Sequence, residues 1–240
     1  MGAKEALADL LTRLAYKLLF KRHLYVHLNN YPYPICLRAE TSDYGTMLQV
    51  FREKQYSDCE ILDNPKLIVD CGANAGYASM YFLNLFPGAY VIAVEPDAEN
   101  VRIAQTNLHP YGGRVQLIHS GIWSHETGLI VCRRYITEAE FFVRECQDNE
   151  TPTIQATTVD ALLATAPVPE IDILKVDIEG AEGVIFAEGY QNWLPKVKNI
   201  LIEIHDKKCE EAFLRALAQY DYELSQNGEI TFCKNLSLRK

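Results

Sequence analysis

Residues 67–77 constrain the fold of this chain more than any other stretch. Leu67, Ile68 and Val69 form an apolar run that ends in Asp70. The small residues Cys71-Gly72-Ala73-Asn74-Ala75 then lead into a helical pattern that starts near Gly76. A strand feeding a glycine turn and a helix N-terminus presents free backbone N–H groups to a charged ligand, and open α/β sheets are built this way. A dinucleotide cradle requires G-x-G-x-x-G. Here Asn74 stands where the second glycine would admit a pyrophosphate, and Gly76 comes one residue early.

The rest of the chain continues the same alternation. Strands are predicted at 67–71, 90–95, 115–119, 129–132, 154–157, 171–176 and 199–204, with helices at 76–86, 97–108, from 159, at 180–188 and at 210–220. Asn227-Gly228 between two β-rich runs, 222–225 and 230–233, reads as a hairpin turn. The predicted fold class is therefore α/β: a Rossmann-like, mostly parallel seven-stranded sheet closed by a C-terminal antiparallel hairpin. A dehydrogenase would more often continue with βαβ units. Residues 1–60 fit a parallel-sheet unit poorly and read as an N-terminal helical cap. They contain a short strand at 35–38 and a helix from Ser42 and Asp43 to Phe51, while residues 61–240 form the ligand-binding domain. The charged, weakly periodic stretch 133–153 reads as an irregular insertion near the site.

Composition narrows the function classes. With 240 residues, 48% of them hydrophobic, the chain can bury one sizeable core. A net charge of −9 argues against general nucleic-acid binding, which needs a basic surface. Seven cysteines without a C-x-x-C pair, and no secretory leader pattern, fit reduced thiols in a cytoplasm. No apolar run has the length of a membrane span. Leu7, Leu10, Leu11, Leu14 and Leu18 share one helical stripe, with Lys4, Arg13, Lys17, Lys21 and Arg22 supplying a basic remainder. Such a helix packs on its domain, across a homodimer, or peripherally on a membrane surface.

The candidate site residues gather at predicted strand ends, where open α/β sheets bind ligands. Glu95 ends the second strand about 25 residues after Asp70, the register in which this fold class places an acid on ribose hydroxyls. Asp97 and Asn100 open the next helix, and N-capping competes with ligand binding for Asp97. Gly72 and Gly76 allow the close turn, Asn74 can bond backbone or ligand, and Asp70 can face an ammonium group. Tyr77 is either core or pocket wall. Ser120 and Gly121 leave room for a flat ring, on which Trp123 either stacks or merely packs. Farther on, Lys175-Val176-Asp177-Ile178-Glu179-Gly180-Ala181-Glu182 and Glu203-Ile204-His205 end two more strands. Strand alternation puts Glu203 and His205 on one side. Removing a proton from an alcohol calls for a histidine or carboxylate base. His205 is the first choice and Asp177 the second, with Glu203 beside them. The same groups could instead bind a divalent ion, although no tight metal-ligand motif is present. Lys175 pairs with the acids.

These pieces resemble the FkbM-type branch of the S-adenosylmethionine-dependent methyltransferases. The match is carried by Val69 to Tyr77, Val94-Glu95-Pro96-Asp97, Thr158-Val159-Asp160, Ile173 to Glu182 and Ile202 to His205. The Lys-Val-Asp-Ile-Glu-Gly-Ala-Glu block is its most specific part. The resemblance implies S-adenosyl-L-methionine as cofactor and O-methylation of a small-molecule or glycan acceptor, often a sugar hydroxyl. It places the cofactor on Asp70, Gly72, Asn74, Gly76, Tyr77, Glu95, Asp97, Ser120, Gly121 and Asp177. The rivals are a nicotinamide-dependent oxidoreductase, against which Asn74 and the terminal hairpin count, and a cofactor-binding protein without chemistry. Asp160 reads as a helix cap.

Overall fold

The structure, a computed structural model, describes residues 23–133 and 141–240. The leucine-striped helix predicted near the N-terminus lies outside the described residues. The chain opens with β1 (His23–Val26) and β2 (Ile35–Arg38), an antiparallel pair, followed by α1 (Asp43–Phe51) and a 3-10 turn at Ser57–Ile61. The alternating unit then runs β3 (Leu67–Cys71), α2 (Tyr77–Leu85), β4 (Tyr90–Glu95), α3 (Ala98–Leu108) and β5 (Val115–His119). Four short strands follow: β6 (Gly121–Ile122), β7 (Gly128–Arg133), β8 (Phe141–Glu145) and β9 (Ile154–Thr157). The chain ends with α4 (Val159–Thr165), β10 (Ile173–Val176), α5 (Glu182–Ile185), β11 (Ile200–Glu203), α6 (Lys207–Ala216), β12 (Tyr220–Asn227) and β13 (Ile230–Leu238).

Seven strands form one sheet in the order β12-β13-β11-β10-β3-β4-β5. β10, β11, β3, β4 and β5 pair in parallel, and β13 runs antiparallel to both of its neighbours. The fold class is the expected Rossmann-like one, with the antiparallel strand inserted beside the sheet edge rather than at it. Every residue of β3 is buried, because helices cover both faces of a parallel sheet. Alternate residues therefore feed two cores. Ile68, Val91, Ala93 and Ile173 pack with α2, α3 and the cap. Val69, Ile92, Leu174 and Val176 pack with α4, Phe186 and Phe213 on the other face. Fully burying a side chain of this size contributes roughly 1.5–3 kcal/mol.

The cap joins the first core through Ile35, Leu37, Met47, Val50 and Phe51, and polar groups anchor it further. The buried Asn107 side chain accepts from Cys36 N at 2.7 Å and donates to Cys36 O at 3.1 Å and to Ala75 O at 2.9 Å. The Tyr77 hydroxyl also donates to Cys36 O at 3.1 Å. Asp43 is buried and engaged with Arg38, so it opens α1 without capping it.

Three local expectations differ from the structure. Within the stretch expected to be irregular, residues 134–140 lie outside the described residues, and Phe141–Glu145 form β8, which pairs antiparallel with β7. The helix expected at 180–188 is only Glu182–Ile185, because Glu179 and Gly180 adopt positive φ and hold the chain in a turn. In the terminal hairpin Asn227 pairs with Ile230, so the two-residue loop is Gly228-Glu229, and Gly228 alone of the Asn-Gly pair takes positive φ.

Candidate active site

The glycine turn after β3 is held from three directions. Gly72 N and Ala73 N both donate to Val94 O, at 3.0 and 2.9 Å, folding the turn over the end of β4. Gly72 has φ +82°, and a Cβ there would lie 1.7 Å from the Asp177 carbonyl oxygen, so only glycine lets β10 run this close. The Lys175 ammonium donates to Gly72 O at 2.6 Å from below. Asn74 takes a left-handed φ of 48° and donates its N–H to Glu95 Oε2 at 2.8 Å.

Beside this turn lies a cavity of about 570 Å³. Gly72, Asn74, Glu95, Ser120, Gly121 and Asp177, all nominated from sequence, line it together with Pro96, Asn100, Ile122 and Val143. Glu95 is buried and also accepts from Asp97 N and Asn100 Nδ2, both at 3.0 Å. Burial pushes its carboxyl up to about 7 despite those three donors. Asn100 Oδ1 is buried with no hydrogen-bond partner. An unpaired buried acceptor costs about 1–3 kcal/mol. Ser120 donates to Gln155 O at 2.7 Å, which turns its hydroxyl toward β9.

The other nominated residues do different work. Asp70 is fully buried; it accepts from Ser79 Oγ at 2.6 Å and pairs with Lys175 at 3.1 Å, and it lines neither this cavity nor the second one described below. It therefore does not face an ammonium group of a ligand. Asp97 caps α3, accepting from Glu99 N and Asn100 N at 3.0 Å. Gly76, at φ +84°, starts α2 behind the cavity wall. Trp123 is absent from the lining, and Val143 of β8 contributes apolar surface instead. Thr158, not Asp160, caps α4.

A second cavity of about 780 Å³ opens on the far side of the turn, beneath the cap. Ser42, Thr46 and Gln49 of the α1 region, Gln55 and Tyr56 after it, and Tyr77, Lys175, Glu203 and Glu229 line it. The two cavities share Gly72, Asn74, Asp177 and Glu179. Tyr77 thus belongs to this wall and to the core at once. The residues on the cap side escape sequence reading because nothing in their spacing links them to the sheet. Glu229, next to the predicted turn, carried the one usable signal.

His205 sits among four carboxylates. Its Nδ1 lies 3.1 Å from Glu182 Oε1, and its Nε2 lies 3.6–3.7 Å from Asp177, Glu179 and Glu203. Burial pulls the imidazole down, but Glu182, Asp177 and Glu179 outweigh it and push it up to about 9. The imidazole therefore carries a proton at neutral pH and is not free to take one, which departs from its expected role as first-choice base. Glu182 is buried, accepts Ile178 N at 2.8 Å and Gly180 N at 2.9 Å, and is held below the usual carboxylate range by His205. Glu203 lines the second cavity, and burial, reinforced by Asp177, pushes it up to about 7. Lys175 is held well above its ordinary value by Asp70 and Asp177 against the pull of burial. Asp177, Glu203 and His205 can each bring one ligand atom within 4.8 Å of the others, a set that a divalent ion could bridge.

Comparison with known proteins now decides the family. The profile of the methyltransferase FkbM domain matches residues 70–229, which is most of the chain and contains every nominated site residue. The chain belongs to the FkbM methyltransferase family. Residues 70–229 are an S-adenosylmethionine-dependent methyltransferase domain, and the oxidoreductase reading falls away. Among its relatives, Methyltransferase 1 of Beauveria bassiana is 22% identical over 194 residues, covering 71% of this chain and 77% of that protein. The AMB antimetabolite synthetase AmbE of Pseudomonas aeruginosa is 26% identical over 198 residues. That match covers 67% of this chain but spans only 9% of AmbE. Among solved structures, M. capricolum TrmK in complex with S-adenosyl-homocysteine is 14% identical, covers 79% of this chain and 69% of its own, and has a TM-score of 0.45. Among the described residues no helix is long and apolar enough to cross a membrane.

Proposed function

We propose that this FkbM methyltransferase methylates a hydroxyl of a sugar, a glycan or a glycosylated natural product. One observation carries the reading: the two cavities meet at Gly72, Asn74, Asp177 and Glu179, so a donor in one and an acceptor in the other would face each other across that border. The first cavity, with an apolar wall and a few convergent polar groups, suits the cofactor. Glu95 would accept from ribose hydroxyls, and the unpaired Asn100 Oδ1 would accept beside it. Ser120, Gly121, Ile122 and Val143 would flank the flat ring. S-adenosylmethionine supplies a methyl group already activated by its positive sulfur, so the protein's main task is to position the partners.

An acceptor hydroxyl must still lose its proton. Glu203 faces the second cavity and is poised near 7, where a general base works best. The protonated His205 would keep Glu203, Asp177 and Glu179 together, as a positioning residue rather than as the base. In this reading the described residues 23–60 act as a cap over the acceptor, and the domain that follows carries cofactor and chemistry. The test is transfer of labelled methyl from S-adenosylmethionine to glycan, lipid and small-molecule fractions by the full chain. Label in a glycan hydroxyl supports the reading. Label only on nitrogen, carbon or carboxyl groups overturns it, as does the absence of any labelled fraction when S-adenosylhomocysteine binds.

A further inference from the structure

The second cavity has a charge pattern that the methyl-transfer chemistry does not require. Its wall carries Asp177, Glu179, Glu203 and Glu229; Lys175 is the one cation among the described residues that line it, and the protonated His205 is spent on Asp177, Glu179 and Glu203. Lys175 cannot attract an anion, because its ammonium is engaged by Gly72 O at 2.6 Å, Asp70 at 3.1 Å and Asp177 at 3.5 Å. Glu229 is the unexplained member. It lies in the two-residue loop of the terminal hairpin, where Glu203 pairs with the next residue, Ile230. Among the described residues its side chain makes no hydrogen bond or ion pair, and it lines the same cavity as Glu203. A bare acid beside another acid raises the local negative potential, which is unfavourable unless the ligand benefits from it.

The loop that carries Glu229 is held in place. Asn227 Nδ2 donates to Lys54 O at 3.1 Å and to Ser57 Oγ at 3.2 Å, and the Ser225 hydroxyl donates to Asp58. The hairpin tip and the segment after α1 thus form one rim. From that segment and α1, Gln55, Gln49 and Thr46 bring uncharged donors and acceptors to the same cavity.

We propose that Glu229 is an acceptor-selecting residue: fixed over the rim, it admits uncharged hydroxyl-rich acceptors and excludes carboxylated and phosphorylated ones. The inference rests on the assignment of the second cavity to a hydroxyl acceptor. Among the described residues that line the cavity, an anionic acceptor would meet like charge and no cation that is not already engaged. A neutral polyol would find the amide and hydroxyl partners of the cap.

The experiment uses the full chain, methyl-labelled S-adenosylmethionine and a glycan pool separated by anion exchange into neutral and acidic fractions. The parent enzyme should label the neutral fraction in preference to the acidic one. Glu229→Gln should shift the acidic-to-neutral ratio of kcat/KM upward by roughly fivefold, and Glu229→Lys by more, as expected for one partly screened charge. S-adenosylhomocysteine affinity should stay unchanged in both, which shows that the variants are folded. Preference of the parent for the acidic fraction, or a ratio unmoved by both substitutions, overturns the proposal and leaves O-methylation standing. Failure of the parent to label any fraction overturns the hydroxyl-acceptor reading and this proposal with it.

Discussion

Lowering the pH from 8 to 6 should weaken S-adenosylhomocysteine binding about tenfold, through a group whose protonation is set by the fold. Glu95 lies buried at the end of β4, and burial pushes its carboxyl up to about 7 even though Asn74 N, Asp97 N and Asn100 Nδ2 all donate to it. Ribose hydroxyls need an acceptor, so they bind the ionised form and hold it ionised. Affinity then follows the ionised fraction of the cofactor-free protein. With a value near 7 that fraction is about one-tenth at pH 6 and about nine-tenths at pH 8. The sign is specific: a raised acid gives tighter binding as pH rises, and binding near neutrality releases up to about one proton. Titration calorimetry with S-adenosylhomocysteine, in two buffers of different ionisation enthalpy, reads both the dissociation constant and the proton count. Glu95→Gln should weaken binding at pH 8 and abolish both the slope and the proton release. Glu203→Gln controls for the other carboxyl near 7, which lines only the second cavity, and should leave the slope intact. A dissociation constant that is flat from pH 6 to 8, with no proton exchanged, would refute the placement of Glu95 on the cofactor.

Other consequences can be checked directly. Glu203→Gln should slow transfer by roughly 10²–10⁴-fold at saturating cofactor while S-adenosylhomocysteine affinity stays within about twofold; an unchanged rate removes Glu203 as base. His205 is raised from 6.5 to about 9, so its stabilising contribution is fully present below pH 6.5 and is lost as pH rises through about 9. His205→Ala should therefore lower the unfolding free energy most at pH 6 and least near pH 10, by an amount on the order of 2–3 kcal/mol at the low end; an equal loss at both ends contradicts the carboxylate cage. Asn107→Ala leaves Cys36 N and Ala75 O without their partner, while Cys36 O keeps the Tyr77 hydroxyl, and should cost about 2 kcal/mol in urea unfolding. Dialysis against a chelator should leave transfer unchanged; a loss restored by magnesium or manganese would reassign Asp177, Glu203 and His205 to a divalent ion.

The parts of this fold that were legible in the sequence are those governed by local periodicity. The continuous apolar runs of β3, β4 and β10 announce strands buried on both faces, and the Gly72–Gly76 turn between strand and helix announces a ligand cradle. Glu95 was legible because its distance from the turn is set by one βα unit. The stretch 133–153 was not, because β8 is a short edge strand of a small sheet and its period is ambiguous. The short α5 was missed for a different reason: the positive φ of Glu179 and Gly180 delays a helix that propensity would start earlier.

The sequence by itself determined the order of strands and helices, the family, the cofactor and the strand ends from which a site must be built. Each of these follows from residue type and spacing along the chain. Tertiary structure alone decided what each charged group does. Asp70 turns inward to Lys175 and Ser79, His205 is caged by four acids and carries a proton, and Glu203 is left poised near neutrality. It also decided that Glu229 and the glutamines of the cap share a cavity with Asp177, although they lie far apart in sequence. The physical reason is that protonation depends on burial and on neighbours a few ångströms away, and those neighbours arrive from separate elements only when the sheet and its cap close.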